Sequence, residues 1–305
     1  MESSVASDSV CETPTCEQYC KKNNISTPYH SSLIINTPTY NEVISKLRSF
    51  FVKRNFLEVS TQNRLSILAA CEDPFNVGMF NYAGSCWPLP QTGQMWLEYE
   101  LLKNPDVEGY FCLTTSYRME KNPVDNRHDL IFPLFEFEMK GGMDKLIEME
   151  RDLLQHLGYD SEKFFENKYN NLSKKYGVKE LEHEHEQQLY DDVTPTFFIT
   201  DFPEHTNPFW NMKRNDDATS NKVDVILSGQ ETIGSAEREV DKDVMRESFN
   251  TIMDGRYKEK LFELFGKERT LQELDEYLEF DFFKRCGGGI GVTRLIRSMK
   301  MEGLV

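Results

Sequence analysis

The segment from residue 109 to residue 142 constrains the fold more than any other part of the chain. It contains an apolar, aromatic run, a loop with the turn pairs Asn122-Pro123 and Asp125-Asn126, and a second aromatic run around Phe135. β-Branched and aromatic residues favour strands, whereas Asn, Asp and Pro favour turns. The pattern therefore predicts a β-hairpin with a charged tip.

Charged side chains are concentrated near the tip of this predicted hairpin. Arg118 and Glu120 stand two positions apart on the first predicted strand, so they point to the same face of the sheet. Arg127 and His128 stand where the loop turns back. One face then carries a cation, an anion and two further hydrogen-bond donors. For an isolated Arg-x-Glu pair, a solvated hairpin face is the simpler interpretation.

The segment at residues 286–295 reads CGGGIGVTRL and ends in an amphipathic run. A glycine-rich strand that enters a helix lets the backbone approach a ligand closely. Arg294, near the predicted helix start, adds a cation suited to phosphate. A tight packing turn uses the same residue types, so the glycines alone are a weak signal.

Taken together, these two segments resemble motifs 2 and 3 of the class II aminoacyl-tRNA synthetases, with the asparaginyl branch closest. The resemblance implies an α+β fold, with an antiparallel sheet flanked by helices. It also implies an ATP site made of Arg118, Glu120, Arg127, His128, Phe132, Glu231 and Arg294. In that site Arg118 would contact the α-phosphate and the attacking carboxylate, and Phe132 would stack on adenine.

Charge and length limit the partners of the chain. With 305 residues and 39% hydrophobic residues, it can bury a sizeable core. A net charge of −16 gives no electrostatic footprint for a phosphate backbone, so tRNA is an unlikely partner.

The cysteines and the N-terminal sequence predict a cytoplasmic protein with reduced thiols. Seven cysteines is an odd number, and no apolar signal region or run of roughly 20 apolar residues is present in the sequence. The cysteines at positions 11, 16 and 20 do not follow a common zinc spacing. We expect residues 1–34 to be an N-terminal extension and residues 35–305 to be one catalytic domain.

Residues 39–54 show helical periodicity and are followed by an apolar run from Phe56. This pair resembles motif 1, the dimer-forming element of the family, and implies a homodimer. Gln62 stands where the family has a proline.

Three residues resemble the amino-acid pocket of the family. Glu72 stands where related enzymes hold the α-amino group, and Gln94 lies in a stretch that resembles the Ser-Gly-Gln element of the asparaginyl branch. Arg238 matches the arginine that clamps a carboxyl or amide group. Leu97 replaces the lysine of the aspartyl branch. An ordinary turn residue and a surface ion pair are the alternative readings of Glu72 and Arg238.

Asp224 and Glu231 flank a predicted turn and can converge on a hard cation. Mg²⁺ held by one or two carboxylates together with substrate phosphates is the usual arrangement in ATP chemistry. The sequence thus predicts Mg²⁺ as a cofactor beside ATP.

The remaining patterns predict covering helices at residues 143–158 and 176–190, and strands at residues 195–203 and 207–213. His183 and His185 are two positions apart and diverge on a helix, so a solvated face is favoured over a metal site.

The resemblance spans residues 35–305 and includes no N-terminal anticodon-binding domain. Relatives of this shape are asparagine synthetases, which activate the β-carboxylate of aspartate with ATP and let ammonia attack. Ile131 stands where asparaginyl enzymes have a glutamate near the substrate amide, which weakens recognition of asparagine. The leading hypothesis is therefore an AMP-forming aspartate–ammonia ligase. The alternatives are a truncated asparaginyl-tRNA synthetase and a non-catalytic adenylate-binding paralogue, the latter because Thr293 replaces an acidic residue of motif 3.

Overall fold

The computed structural model describes residues 36–62, 65–68, 72–120, 123, 127 and 129–305. The helices are α1 (Thr37–Lys53), α2 (Gln94–Lys103), α3 (Met143–Leu157), α4 (Tyr169–Tyr176), α5 (His183–Asp192), α6 (Lys242–Thr251), α7 (Arg256–Phe265), α8 (Lys267–Leu278) and α9 (Val292–Met301). The strands are β1 (Phe56–Glu58), β2 (Met79–Tyr82), β3 (Ser85–Pro88), β4 (Gly109–Tyr117), β5 (Ile131–Lys140), β6 (Phe164–Lys168), β7 (Thr196–Pro203), β8 (Thr219–Leu227), β9 (Gln230–Glu237) and β10 (Arg285–Gly291).

One eight-stranded sheet organises the described residues, in the order β1-β4-β5-β10-β9-β8-β7-β6. The pairs between β4 and β7 are antiparallel, whereas the edge strands β1 and β6 run parallel to their neighbours. β2 and β3 form a separate hairpin. The predicted α+β fold, an antiparallel sheet flanked by helices, is confirmed.

The predicted hairpin is present as β4 and β5, with Gly109 opposite Met139 and Tyr117 opposite Ile131. Along β5 the side chains alternate between the two sheet faces, as the pleat requires. Phe135 and Phe137 point into the core, so Glu136 and Glu138 point to the opposite face. Aromatic and acidic residues on one strand thus separate a hydrophobic side of the sheet from a polar one.

The main hydrophobic core lies between the sheet and the helices α1, α3 and α9. Phe51 of α1 contacts the rings of Phe56, Phe111, Phe135 and Phe137, with centroid separations between 5.3 and 5.7 Å. Ring pairs at such distances stabilise a core beyond the area that they bury. The predicted helix and strand at residues 39–60 are therefore confirmed as α1 and β1.

A second hydrophobic cluster is formed by the helices α6, α7 and α8. Trp210 and Tyr277 meet there edge to face, with ring centroids 5.6 Å apart. The indole N–H of Trp210 donates to the carbonyl of Leu68 at 2.7 Å. This cluster supports the end of the sheet where β10 begins.

Three predictions of local structure differ from the observed elements. The helix predicted at residues 176–190 is interrupted, because α4 ends at Gly177, which takes a left-handed φ of 69°. Residues 207–213 form no named strand, since Asn207 is also left-handed and Met212 makes only an isolated bridge to Arg238. Arg118 and Glu120 follow the end of β4 at Tyr117 instead of lying on it.

His185 has a structural role at the start of α5. Its ring Nδ1 accepts from the backbone N–H of Glu182 at 2.9 Å, and Glu182 caps the same helix end in return. This capping box fixes the start of α5.

The predicted extension and the cysteines at positions 11, 16 and 20 lie outside the described residues. Among the described helices, none has the length and apolar content needed to cross a membrane.

Glu150 of α3 is a fully buried acid on the helical side of the sheet. Its Oε1 accepts from the Ser235 hydroxyl at 2.5 Å, whereas its Oε2 makes no hydrogen bond within the described part of the chain. Burial, with a smaller contribution from the charge of Asp224, raises the pKa of Glu150 to about 8. The carboxyl is therefore neutral in the folded protein near neutral pH.

We predict that Glu150→Gln stabilises the protein increasingly as the pH rises from 5 to 8. In the unfolded chain the carboxyl ionises above its ordinary pKa of 4.5, whereas the folded chain holds its proton up to a pKa of about 8, so the parent loses stability across this interval. The melting temperature of the variant relative to the parent should increase by at least about 2 °C between these pH values. Glu148→Gln, at an exposed position of α3, is the control. A constant difference would contradict the prediction.

Candidate active site

A cavity of about 330 Å³ lies on the polar face of the sheet, above β5, β10, β9 and β8. Most of the predicted site residues line it together: Gln94, Arg118, Glu120, Arg127, Phe132, Glu231, Arg238 and Arg294. They come from segments between residues 94 and 294, and the hairpin β4–β5 and the strand β10 bring them together. The size suits a ligand of nucleotide or amino-acid dimensions.

Glycines form the floor of the cavity. Gly287 and Gly289 of β10 lie directly opposite Glu138 and Glu136 of β5, so the acids stand over a strand without side chains on that face. A Cβ atom at Gly287 would overlap Glu138 Oε2 and the carbonyl oxygen of Phe137. Gly287 is therefore required by the close approach of neighbouring protein groups, independently of any ligand.

Arg238 closes the deep end of the cavity, with its side chain 2% exposed. Its guanidinium contacts Glu138 Oε2 at 3.2 Å and Glu98 Oε1 at 3.5 Å, and it donates to the carbonyl of Gly287 at 3.2 Å. Arg238 is thus a buried, oriented cation, and the surface ion pair considered for it is wrong.

Glu98 of α2 links Arg238 to a second buried arginine. Arg285 lies 2.8 Å from Glu98 Oε2, which also accepts from the hydroxyl of Tyr277 at 2.6 Å. The amide of Asn211 donates to Glu98 Oε1 at 2.9 Å. Removing one member of such a network typically costs about 3–5 kcal/mol, because its partner stays buried without compensation.

The two acids of this network have opposite pKa shifts. Burial alone would raise the pKa of Glu98, but the charges of Arg285 and Arg238 outweigh burial and lower it. Burial dominates at Glu138 and raises its pKa to about 7, although Arg238 opposes the shift. Glu98 is therefore the fixed anion of the network, whereas Glu138 can take up a proton near neutral pH.

Gln94 and Glu136 form the wall beside this network. Gln94 is buried, and its amide N–H donates to Glu138 Oε2 at 2.5 Å and to the carbonyl of Phe137 at 3.1 Å. Glu136 accepts from the hydroxyl of Thr92, from Thr114 Oγ1 at 2.7 Å and from the backbone N–H of Gly93 at 2.8 Å. Burial raises the pKa of Glu136, and these hydrogen bonds oppose the shift. A carboxyl group thus lines the cavity beside Gln94.

Arginines dominate the outer end. Arg294 of α9 donates to the carbonyl of Glu231 at 2.7 Å and to that of Arg127 at 3.2 Å. Arg127 pairs with Glu186 of α5, which also accepts from the backbone N–H of Glu231 at 2.9 Å. Arg118 lies beside them and donates to the hydroxyl of Ser116 at 3.2 Å. Three arginines therefore line the same cavity, which suits an anionic ligand.

The predicted metal ligands converge over Gly234. A Cβ at this glycine would lie 3.0 Å from Glu231 Oε1 and 3.6 Å from Asp224 Oδ1. A β-bulge between Val225 and Ile226 shifts the register of β8 and β9, and this shift turns Glu231 to the face of Asp224.

Asp224 is divided between two environments. Its Oδ2 pairs with Lys222 at 2.6 Å, whereas its buried Oδ1 makes no hydrogen bond within the described part of the chain. Burial raises the pKa of Asp224 to about 7, against the opposing charge of Lys222. An orphaned carboxylate oxygen beside Glu231 fits a hard cation. The described residues contain no group of three or more His, Cys, Asp or Glu that could hold a metal without a substrate.

Three predicted residues are not among those that line the cavity. Asp224 lies over Gly234, near Glu231. Glu72 is absent from the described cavity lining and lies near the buried Tyr257, whose pKa is raised by burial first and by the charge of Glu72 second. His128 lies outside the described residues.

The sequence analysis did not identify Glu98, Glu136, Glu138, Arg285, Lys222 or Glu186 as members of the site. For Glu136 and Glu138 the signal was present, because acids that alternate with phenylalanines on a strand must share the polar face. For Glu98 and Arg285 no local signal exists, since 187 residues separate them and both are fully buried.

Comparison with known proteins gives one family and one fold. Residues 26–303 match the family model described as class II tRNA synthetases (D, K and N). A lysine–tRNA ligase of Saccharolobus solfataricus is 22% identical over 301 residues, which cover 83% of this chain and 59% of the relative. The chain thus spans less than two thirds of the curated relative that it matches.

Solved structures agree on the fold. The asparaginyl-tRNA synthetase of Pyrococcus horikoshii in complex with asparaginyl-adenylate is similar with a TM-score of 0.71 at 20% identity, over 93% of this chain and 69% of that one. The asparaginyl-tRNA synthetase of Entamoeba histolytica is similar with a TM-score of 0.70 at 17% identity, over 87% of this chain and 63% of that one. The aspartyl-tRNA synthetase of the same organism is similar with a TM-score of 0.65 at 17% identity, over 86% of this chain and 54% of that one.

We predict that Gly287→Ala destabilises the protein by about 1–3 kcal/mol or more, because the new methyl group overlaps Glu138 and the β5 backbone. Gly289→Ala is the matched control, since its methyl group would meet Leu134 at an ordinary 3.4 Å. Urea unfolding of both variants measures the difference. Equal stabilities of the two variants would show that the floor has room that the structure does not indicate.

Proposed function

Since the chain belongs to the class II tRNA synthetases of the D, K and N group, we propose that it is an ATP-dependent aspartate–ammonia ligase. In this reaction ATP activates the β-carboxylate of aspartate as β-aspartyl-AMP. Ammonia then attacks the adenylate, and asparagine, AMP and diphosphate are the products.

The arrangement of cations in the cavity carries this proposal. Arg118, Arg127, Arg294 and Arg238 all line the cavity, and Arg238 is buried. Aspartate carries two carboxylates, so one can meet the nucleotide while the other meets Arg238. The acid Glu136 lies between the two ends, where it can accept hydrogen bonds from the substrate ammonium group.

In the first step, an oxygen of the β-carboxylate attacks the α-phosphorus of ATP. The bond between the α-phosphorus and the bridging oxygen breaks, and diphosphate leaves with that electron pair. Arg118 is suited to hold the attacking carboxylate against the α-phosphate, and Arg127 and Arg294 are suited to the outer phosphates. Fixed cations at the points where charge develops are the main source of catalysis in such transfers.

In the second step, the lone pair of ammonia attacks the β-carbonyl carbon of the adenylate. The bond from this carbon to the AMP oxygen breaks, AMP leaves as the phosphate anion, and the attacking nitrogen loses one proton. Neither step requires a covalent enzyme intermediate.

Phe132 and Glu120 lie at the cavity wall, where they would stack on adenine and bind its edge. Asp224 and Glu231 would hold Mg²⁺, as the orphaned oxygen of Asp224 beside Glu231 supports. When bound, Mg²⁺ would neutralise phosphate charge. The role proposed for Glu72, holding the α-amino group, requires that its segment reach the cavity. Gln94 would act through Glu138, to which it donates.

A homodimer is proposed through α1 and β1, because β1 is an edge strand and Leu57 on it is 50% exposed. Val52, near the end of α1, is 58% exposed. An exposed edge with apolar side chains invites pairing with a second copy.

A truncated asparaginyl-tRNA synthetase is the second candidate. It is favoured by the similarity to the Pyrococcus horikoshii enzyme, which was solved with asparaginyl-adenylate. That activity would activate the α-carboxylate and place a side-chain amide against Arg238. The net charge of −16 makes binding of tRNA less favourable.

We predict that Arg294→Ala weakens ATP binding by about tenfold or more, because charge-assisted hydrogen bonds contribute roughly 1.5–3 kcal/mol. Arg297→Ala is the matched control: this arginine is on the same helix and donates to a carbonyl, that of Ser228 at 3.0 Å, but is absent from the described cavity lining. Calorimetric titration with ATP and Mg²⁺ measures the affinities. Unchanged ATP affinity in Arg294→Ala would contradict the nucleotide assignment.

The function is tested by incubating the protein with ATP, Mg²⁺, aspartate and ammonium, followed by amino-acid and nucleotide analysis. We expect asparagine and AMP in equal amounts, formed without tRNA and unaffected by added tRNA. Isoasparagine would indicate activation of the α-carboxylate. Charging of tRNA with asparagine, without free asparagine made from aspartate, would overturn the ligase and favour the second candidate.

A further inference from the structure

Lys222 lies at the cavity wall, on the side opposite Glu138. The register aligns Lys222 with Ala236, Ala236 with Gly287, and Gly287 with Glu138 across four neighbouring strands. Neighbouring strands are about 4.8 Å apart, so Lys222 stands roughly 14 Å from Glu138 along this row. Between them the floor has only the methyl group of Ala236 and a glycine.

Arg238 overhangs this same row. It follows Ala236 by two positions in extended backbone, so it is the diagonal cross-strand neighbour of Lys222. Diagonal neighbours are about 7–8 Å apart at their backbones, and long side chains reach across that distance. Ala236 and Met212, which forms a bridge with Arg238, line the cavity beside the two cations.

Each cation already pairs with a carboxyl group. Asp224 holds the ammonium of Lys222 at 2.6 Å, and Glu138 holds the guanidinium of Arg238 at 3.2 Å. Asp224 and Glu138 orient the two cations, and the ammonium of Lys222 also lies 4.0 Å from the ring centroid of Phe202 on β7. A carboxylate that enters the gap therefore meets a cation on either side, and charge-assisted hydrogen bonds are the strongest that a side chain makes.

We propose that Lys222, together with Arg238, binds the substrate carboxylate that is not activated, and thereby selects an amino acid with two carboxylates. The inference rests on the proposed function for the identity of the substrate. An amide in this position would direct its own N–H donors at an ammonium group and would be disfavoured.

The test uses calorimetric titration of the full chain with L-aspartate, L-asparagine and L-isoasparagine, in the presence of Mg²⁺ and a non-hydrolysable ATP analogue. Lys222→Met should weaken the binding of aspartate by about tenfold or more, since an ionised hydrogen-bonding partner is lost. The binding of asparagine should be weakened by the same factor, because asparagine retains the α-carboxylate that Lys222 is proposed to bind. Isoasparagine has an amide at that carbon, so its affinity should change less than about threefold.

Lys213→Met is the matched control, because Lys213 also pairs with an acid, Glu239 at 3.1 Å, but is absent from the described cavity lining. Its aspartate affinity should equal that of the parent. Lys222→Arg keeps the cation and should recover part of the affinity. If circular dichroism shows that Lys222→Met is unfolded, Lys222→Gln takes its place in every titration.

The outcomes separate the inference from the proposed function. Unchanged aspartate affinity in Lys222→Met, or a loss confined to the ATP analogue, overturns the inference alone. If Lys222→Met binds isoasparagine more weakly than the parent does but binds asparagine equally well, Lys222 binds the non-activated carboxylate. In that case the proposed activation of the β-carboxylate is wrong. A parent protein that binds none of the three amino acids overturns both.

Discussion

The site depends on one constraint, the burial of two arginines beneath the sheet face that carries the cavity. Arg238 and Arg285 are both enclosed, and a buried cation is tolerated only with matched anions and hydrogen bonds. Glu98 and Glu138 provide the anions, and both come from elements that the hairpin positions. Glycine at position 287 then follows, because Glu138 occupies the space where a side chain would stand. The glycine-rich strand and the charged network therefore depend on each other, because the glycine leaves room for the buried acid.

The same network explains why the cavity has a polar floor in a mainly hydrophobic domain. Phenylalanines on one face of β5 bind the sheet to α1, and the acids between them face the ligand side. A strand with this alternation serves stability and chemistry at once, since each face is independent of the other. The bulge between β8 and β9 interrupts the alternation of side chains between the two faces and turns Glu231 to the face of Asp224.

Much of this arrangement follows from the sequence, and the limits of prediction are physical. The hairpin was predictable because period-two apolar patterns and turn residues are local signals, and the glycines before Arg294 marked β10. The prediction of one helix at residues 176–190 was wrong, because the charged periodic pattern outweighed the signal of Gly177, which caps the end of α4. The pairing of Glu98 with Arg285 could not be predicted, since only the folded topology brings these residues together. Glu72 was placed by resemblance, and its position near Tyr257 depends on the packing of α7.

The two ends of the cavity differ in how firmly their cations are held, and this difference bears on how a ligand binds. At the deep end the guanidinium of Arg238 is fixed by buried acids, so a ligand meets a preorganised cation and spends little free energy on ordering it. At the outer end, by contrast, Arg127 pairs with the partly exposed Glu186, and Arg294 is held by backbone carbonyls. A phosphate that binds Arg127 must therefore replace or share an existing anionic partner. Because Glu186 also binds the backbone N–H of Glu231, a change in its pairing with Arg127 acts directly on the segment that carries the proposed metal ligand. Under the proposed function, Glu186 of α5 would couple nucleotide binding to metal binding.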